Sequence, residues 1–192
     1  MNIFNHKFNP PKLLTAKDFH LFPTNNDFYQ SDYEAVMANK ELLREWSQSS
    51  WPEDDFTPEQ NSADLAHHIE DNQTHAAYGY MIYSPDLKTC YGSVYVNPIA
   101  NVPENYSTTP METEVIQKHQ ARIDCWIVDQ NSNLEKTIIS ELLNWFEETW
   151  EINVLFSARP GLTKRMNIYQ ELHRPMRMNL KSKTSDMRLL LF

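Results

Sequence analysis

Glycine is scarce: the 192 residues include only Gly79, Gly92 and Gly161. The Walker loop and the dinucleotide fingerprint both need several glycines close together, so that backbone N–H groups can close on phosphates. Neither can be built here. Cysteine is scarce too. Cys90 and Cys125 are too few for a disulfide scaffold or a cysteine metal centre, and both are expected reduced, in the cytoplasm. Basic residues fall short of acidic ones, 17 Lys and Arg against 26 Asp and Glu, for a formal net charge of −9. Non-specific nucleic-acid binders and binders of anionic membranes need the opposite excess, so no nucleic acid and no membrane is expected as a partner. No apolar run nears the ~20 residues of a membrane-spanning helix, and Met1 to Pro11 lacks the basic-then-apolar order of a secretory leader.

What is present suits one globular unit. Hydrophobic residues make up 41% of the chain, and a chain of this length buries about 70% of its unfolded surface without staples. Met1 to Lys12, polar and holding Pro10-Pro11, reads as a loosely attached arm, and residues 13–192 as a single domain. Leu13 to Pro23 reads as a short strand. Ser31 and Glu34 have capping-box spacing, and Tyr33, Val36, Met37, Leu43 and Trp46 follow at helical period, which predicts one helix to about Trp46. Trp51-Pro52 breaks it, and an acidic loop, Glu53-Asp54-Asp55, follows. Thr57-Pro58-Glu59-Gln60 is a second start signal: a cap, a proline at the first helical position and a glutamine three after the cap. That helix should reach Glu70. Ala76 to Tyr83 and Thr89 to Val96, joined through Ser84-Pro85-Asp86, read as a hairpin. Ala100 to Gln120 is polar and without period, and reads as a long flap or insertion.

Arg122 to Val128 alternates as a strand, with Ile123, Cys125 and Ile127 on one face and Asp124, Trp126 and Val128 on the other. A helix from Ser132 to Trp150 and a strand from Ile152 to Phe156 complete a βαβ unit, hence two parallel neighbours. Leu162 to Leu172 is a last helix, and the C-terminal stretch a hairpin. The fold class that follows is α/β, a mixed central sheet with helices on both faces.

This element order resembles the GNAT superfamily of acyl-CoA N-acyltransferases, and so do local stretches. Ser31 to Val36 resembles its first helix, and Phe56 to Asn61 with Asp64-Leu65 its second. Gly92 to Val96 resembles the strand entering its core. Trp126-Ile127-Val128 and then Leu134 to Trp150 resemble its acyl-CoA strand and helix, and Tyr169 to Leu172 its last helix. The resemblance implies that two parallel strands, Arg122 to Val128 and Ile152 to Phe156, splay apart, and that a pantetheine arm bonds the freed backbone between them. It implies a diphosphate at the N-terminus of the following helix, where free N–H groups and the helix dipole attract anions. The family's phosphate loop reads Gln/Arg-x-x-Gly-x-Gly/Ala. Gln130-Asn131-Ser132-Asn133-Leu134-Glu135 matches it at Gln130, puts Asn133 where the first glycine belongs and departs from it at Glu135. A carboxylate ~4 Å from a phosphate charge costs about 4 kcal/mol at an effective dielectric near 20. Ser132 and Glu135 also have the spacing of a capping box, which would leave this helix start satisfied by the protein itself.

The resemblance thus implies transfer of an acetyl group from acetyl-CoA, as co-substrate, to a primary amine of a small molecule or peptide. Tyr169 stands at the position of the acid that protonates the leaving thiolate, and Asp124 is the base candidate. Trp51, Glu53, Asp54 and Asp55 would meet a cationic amine. The alternative is a non-catalytic relative with this fold that has lost CoA binding and works as a ligand-binding or protein-interaction module. A homodimer stays open. His67-His68 lacks a third ligand at useful spacing, so no metal is expected, and Cys125 reads as a small buried hydrophobe.

Overall fold

The computed structural model describes residues 8–128 and 132–192, with the backbone alone at 132 and 133. The expected arm falls partly outside this range. Its described part is docked rather than loose: Phe8 packs on Tyr78 and Trp150, and the Pro11 carbonyl accepts a hydrogen bond from the Tyr80 hydroxyl at 2.8 Å.

Strands β1 (Leu14–Thr15) and β2 (His20–Pro23) open the chain. Helix α1 (Tyr29–Ala38) and helix α2 (Lys40–Ser47) follow where the sequence suggested one helix. The start lies before the predicted capping box, and Ser31 sits inside the helix, with its hydroxyl on the Phe28 carbonyl and the Tyr83 hydroxyl. The break falls at Asn39, whose side-chain amide donates to the Ala35 carbonyl, the local competition that makes Asn a poor interior helix residue. Helix α3 (Pro58–Thr74) begins as predicted. Thr57 and Gln60 exchange both bonds of the capping box, and Pro58 occupies the first turn.

The hairpin is β3 (Tyr78–Tyr83) and β4 (Cys90–Pro98). Residues 100–120 are more ordered than a flap. They hold α4 (Val102–Asn105), β5 (Tyr106–Ser107) and α5 (Pro110–Gln117), the last opened by a second complete capping box between Thr109 and Glu112. Then come β6 (Ala121–Ile127), α6 (Ser132–Thr149), β7 (Val154–Ala158), α7 (Thr163–Glu171), β8 (Met178–Ser182) and β9 (Arg188–Leu191).

Among the described residues the strands form one sheet in the order β1-β2-β3-β4-β6-β7-β9-β8-β5, and β6 with β7 is its parallel pair. The alternation along β6 divides the core as predicted. Ile123, Cys125 and Ile127 pack with Ile138, Ile139, Leu142 and Phe146 of α6. Trp126 and Val128 pack on the opposite face with Val36, Leu43 and Leu65 of the first three helices. Gly92, at φ +144°, lets β4 lie against β6, because a Cβ there would collide with the Trp126 carbonyl. Among the described residues no helix is long and apolar enough to cross a membrane.

Candidate functional site

Strands β6 and β7 pair at Ala121↔Val154, Arg122↔Leu155 and Ile123↔Phe156, and no further. Beyond that point they part. The Val128 N–H donates to the Tyr91 carbonyl on β4 at 2.9 Å. Alternation along an antiparallel ladder, with Gly92 opposite Ile127, therefore turns the main-chain groups of Cys125 and Ile127 away from β4 and into the gap. Side chains of α7 enter the gap from its far side. Arg165 is buried. Its Nη1 donates to the Cys125 carbonyl at 3.1 Å, and its Nε donates to Glu135 at 2.5 Å. Lys164 Nζ lies 3.1 Å from the other Glu135 oxygen.

Where the strands diverge, the Tyr169 hydroxyl donates to the Ser157 carbonyl at 3.3 Å, and its ring packs on Phe156 and Phe192. Burial raises the Tyr169 phenol far above its ordinary value, so it stays protonated. A cavity of about 180 Å³ remains in the mouth of the gap, lined by Trp46, Trp126, Ile127, Glu135, Leu162 and Arg165 among others.

A second cleft, of about 400 Å³, lies between β4, β6 and helices α1 to α3, and meets the first at Trp46 and Trp126, which line both. Asp124 forms part of its wall. One Asp124 oxygen accepts from Asn97 at 2.8 Å and Arg122 at 2.7 Å. The other accepts from Ser157 at 2.5 Å, with Arg159 3.8 Å away. Burial pushes the Asp124 carboxyl up, but Arg122, Arg159 and the Ser157 bond outweigh it and hold it below the usual carboxylate range. Across the cleft, Asp32 accepts from Asn61 at 3.0 Å and Cys90 at 3.6 Å. Both donors are neutral, and burial lifts its carboxyl to about 6. Asp64 is also raised by desolvation. The His68 ring, 4.8 Å from that of Tyr95, is shifted down by burial, which keeps it neutral near pH 7.

No family model matches the sequence, and no curated protein matches it. Solved structures do match its shape. The chain is similar to RimL, the ribosomal L7/L12 alpha-N-protein acetyltransferase in complex with coenzyme A, at a TM-score of 0.68 and 14% identity, over 94% of this chain and 96% of that one. It is similar to the microcin C7 self immunity acetyltransferase MccE in complex with acetyl-CoA and AMP, at a TM-score of 0.67 and 14% identity, over 95% of each chain. It is also similar to the ribosomal-protein-S5-alanine acetyltransferase of Vibrio fischeri, at a TM-score of 0.65 and 12% identity, over 94% of each. The fold is that of the GNAT acetyltransferases.

On this GNAT fold the expected residues separate. Trp126, Ile127 and Tyr169 lie at the gap. Val128 is buried beside the first helices, its N–H already given to β4. Leu134 packs on the main core. Gln130 and Asn131 lie outside the described residues, as do the side chains of Ser132 and Asn133. Glu135 turns inward to Arg165 and Lys164, which neutralise the carboxylate expected to repel a phosphate. Asp124 is in the cleft, but both its oxygens are occupied and its charge is held by two arginines, which makes it a poor proton acceptor. Trp51 lines the cleft. Glu53, Asp54 and Asp55 do not: all three are exposed, and Asp54 is drawn to Lys40 and Arg44 at 2.7 and 2.9 Å.

From the sequence alone Asp32, Asp64, Arg159 and Arg165 have no role in the cleft, and His68 is weighed only as a metal ligand. A signal existed for two of them. Asp32 stands four before buried Val36, and His68 three after buried Leu65, polar residues on the inward stripe of a helix.

Proposed function

We propose that the protein transfers an acetyl group from acetyl-CoA to a primary amine of a small molecule or peptide. The observation that carries this reading is the parting of β6 and β7 beside a cleft that holds buried acid–base groups. The residues fit a pantetheine arm along the Cys125 and Ile127 backbone once Arg165 releases the Cys125 carbonyl. The diphosphate would fall to Gln130 to Leu134 at the start of α6, where the helix dipole favours an anion. Two cations against one carboxylate leave the Glu135, Lys164 and Arg165 group with one net positive charge.

Acetyl-CoA, when bound, supplies the thioester. His68 accepts the amine proton, a task suited to a neutral imidazole. Asp32 supplies a counter-charge for the ammonium before that proton leaves. Tyr169 gives its proton to the departing thiolate as the C–N bond forms and the C–S bond breaks. Asp124 positions Arg122 and Arg159, and Trp46 and Trp126 shield the meeting point of the two clefts from water.

The test is release of free thiol from acetyl-CoA in the presence of a panel of primary amines. Tyr169→Phe should lower kcat by roughly tenfold or more, with KM for acetyl-CoA kept; unchanged turnover would reject the acid role. One observation favours a second reading. Arg165 already bonds the Cys125 carbonyl, as a pantetheine amide would, and a binding module that has lost CoA would look like this. In that case no amine elicits thiol release.

A further inference from the structure

The acceptor cleft carries both signs of charge, at separate places. On the β6–β7 side Arg122 and Arg159 share a single carboxylate, Asp124, which leaves one positive charge. Arg159 is nearly enclosed, with 12% of its side chain exposed, and its Nη1 is buried without a hydrogen-bond partner among the described residues. Buried donors in native structures almost always have an acceptor, so an unanswered one beside a cleft asks for a ligand oxygen. On the helix side stand Asp32 and Asp64. Asp32 has only neutral donors, and the nearby His68 is held neutral by burial. Trp46, Trp51 and Tyr95 form aromatic walls, surfaces on which a cationic group is favoured.

We propose that the cleft binds an amine that carries a carboxylate in the same molecule, with the ammonium toward Asp32 and Asp64 and the carboxylate on Arg159 and Arg122. It rests on the acetyltransferase reading for the role of that molecule as acceptor, while its binding can be measured without acetyl-CoA. The guanidinium fork of Arg159 matches the planar carboxylate. A plain alkylamine would leave the buried Nη1 unanswered and bind less well.

The test is calorimetric titration of the full chain, without acetyl-CoA, using the L-α-amino acids and the ω-amino acids from β-alanine to 6-aminohexanoate, each beside its carboxamide. At least one free acid should bind roughly tenfold or more tightly than its amide, the advantage expected of a charge-assisted pair. Arg159→Gln should bring that ratio to about one. It should still fold, because Asp124 keeps Arg122, Asn97 and Ser157. Arg159→Lys, which keeps the charge and loses the fork, should fall between. Asp32→Asn should weaken acid and amide alike. If every acid binds within roughly threefold of its amide, or none binds at all, the inference is overturned. A preserved acid preference with no thiol release from acetyl-CoA would instead remove the acetyltransferase reading and leave a site for carboxylate-bearing amines.

Discussion

On the proposed reading, Asp32 ties stability to function in a single residue. Burial lifts its carboxyl from 3.8 to about 6, so the folded chain holds that proton more tightly than the unfolded chain. The stability it contributes is fully present below its unfolded value and is lost as the pH rises through about 6. A shift of about two units corresponds to about 3 kcal/mol. Asp32→Asn should therefore raise stability at pH 7 by about 2–3 kcal/mol and flatten the pH dependence between about 4 and 6, read by urea unfolding across that range. The same variant should lose turnover on amines. A variant that is less stable at pH 7 would contradict the assignment of an unpaired buried charge. His68 makes a matching claim for the pH profile. If it takes the amine proton, kcat/KM rises with pH through two ionisations below the ordinary 6.5, that of His68 and that of Asp32 at about 6; His68→Gln removes the first and leaves the second, with acetyl-CoA binding intact.

At the scale of elements, the β4–β6 contact and the pairing of α6 with α7 set the site. Gly92→Ala should destabilise the fold by more than ~2 kcal/mol, since the new Cβ meets main chain that cannot swing aside; thermal unfolding measures it, and a change under ~0.5 kcal/mol would mean the strands can slide. Glu135→Gln leaves the Arg165 charge buried with a weaker partner and should cost about 3 kcal/mol, whereas Glu135→Leu with Arg165→Met should be near neutral. The double variant also vacates the Cys125 carbonyl, so acetyl-CoA should bind it more tightly than the parent. Weaker binding would mean that Arg165 holds the donor rather than blocks it.

The elements themselves were largely legible in the sequence. The Thr57 capping box, the period-2 alternation of Arg122 to Val128 and the βαβ unit after it are local patterns, and local patterns fix local structure. The α1–α2 break was not legible, because one asparagine in an otherwise helical stripe carries little signal. Nor was α5, hidden in a polar stretch whose Thr109–Glu112 cap has the same spacing as the ones that were read.

For the molecule as a whole, chain order decided the sheet, and three solved acetyltransferases share its shape at 12–14% identity. The sites were less legible than the sheet. Asp32, His68, Asp124 and Arg159 come from four separate elements and connections, and only the assembled sheet and the helices over it bring them to one cleft. Glu135 illustrates the point. Read alone it is a charge in the wrong place for a phosphate, and only the fold supplies Arg165 and Lys164 from thirty residues away to balance it. What the fold offers as a unit is a gap between two parallel strands that opens into a charged cleft. The most direct measurement of that gap is the melting temperature of the full chain titrated with acetyl-CoA. At 100 times the dissociation constant the complex should gain about 2.7 kcal/mol of stability and melt higher, whereas an unchanged melting temperature at millimolar acetyl-CoA would mean that the gap admits no donor.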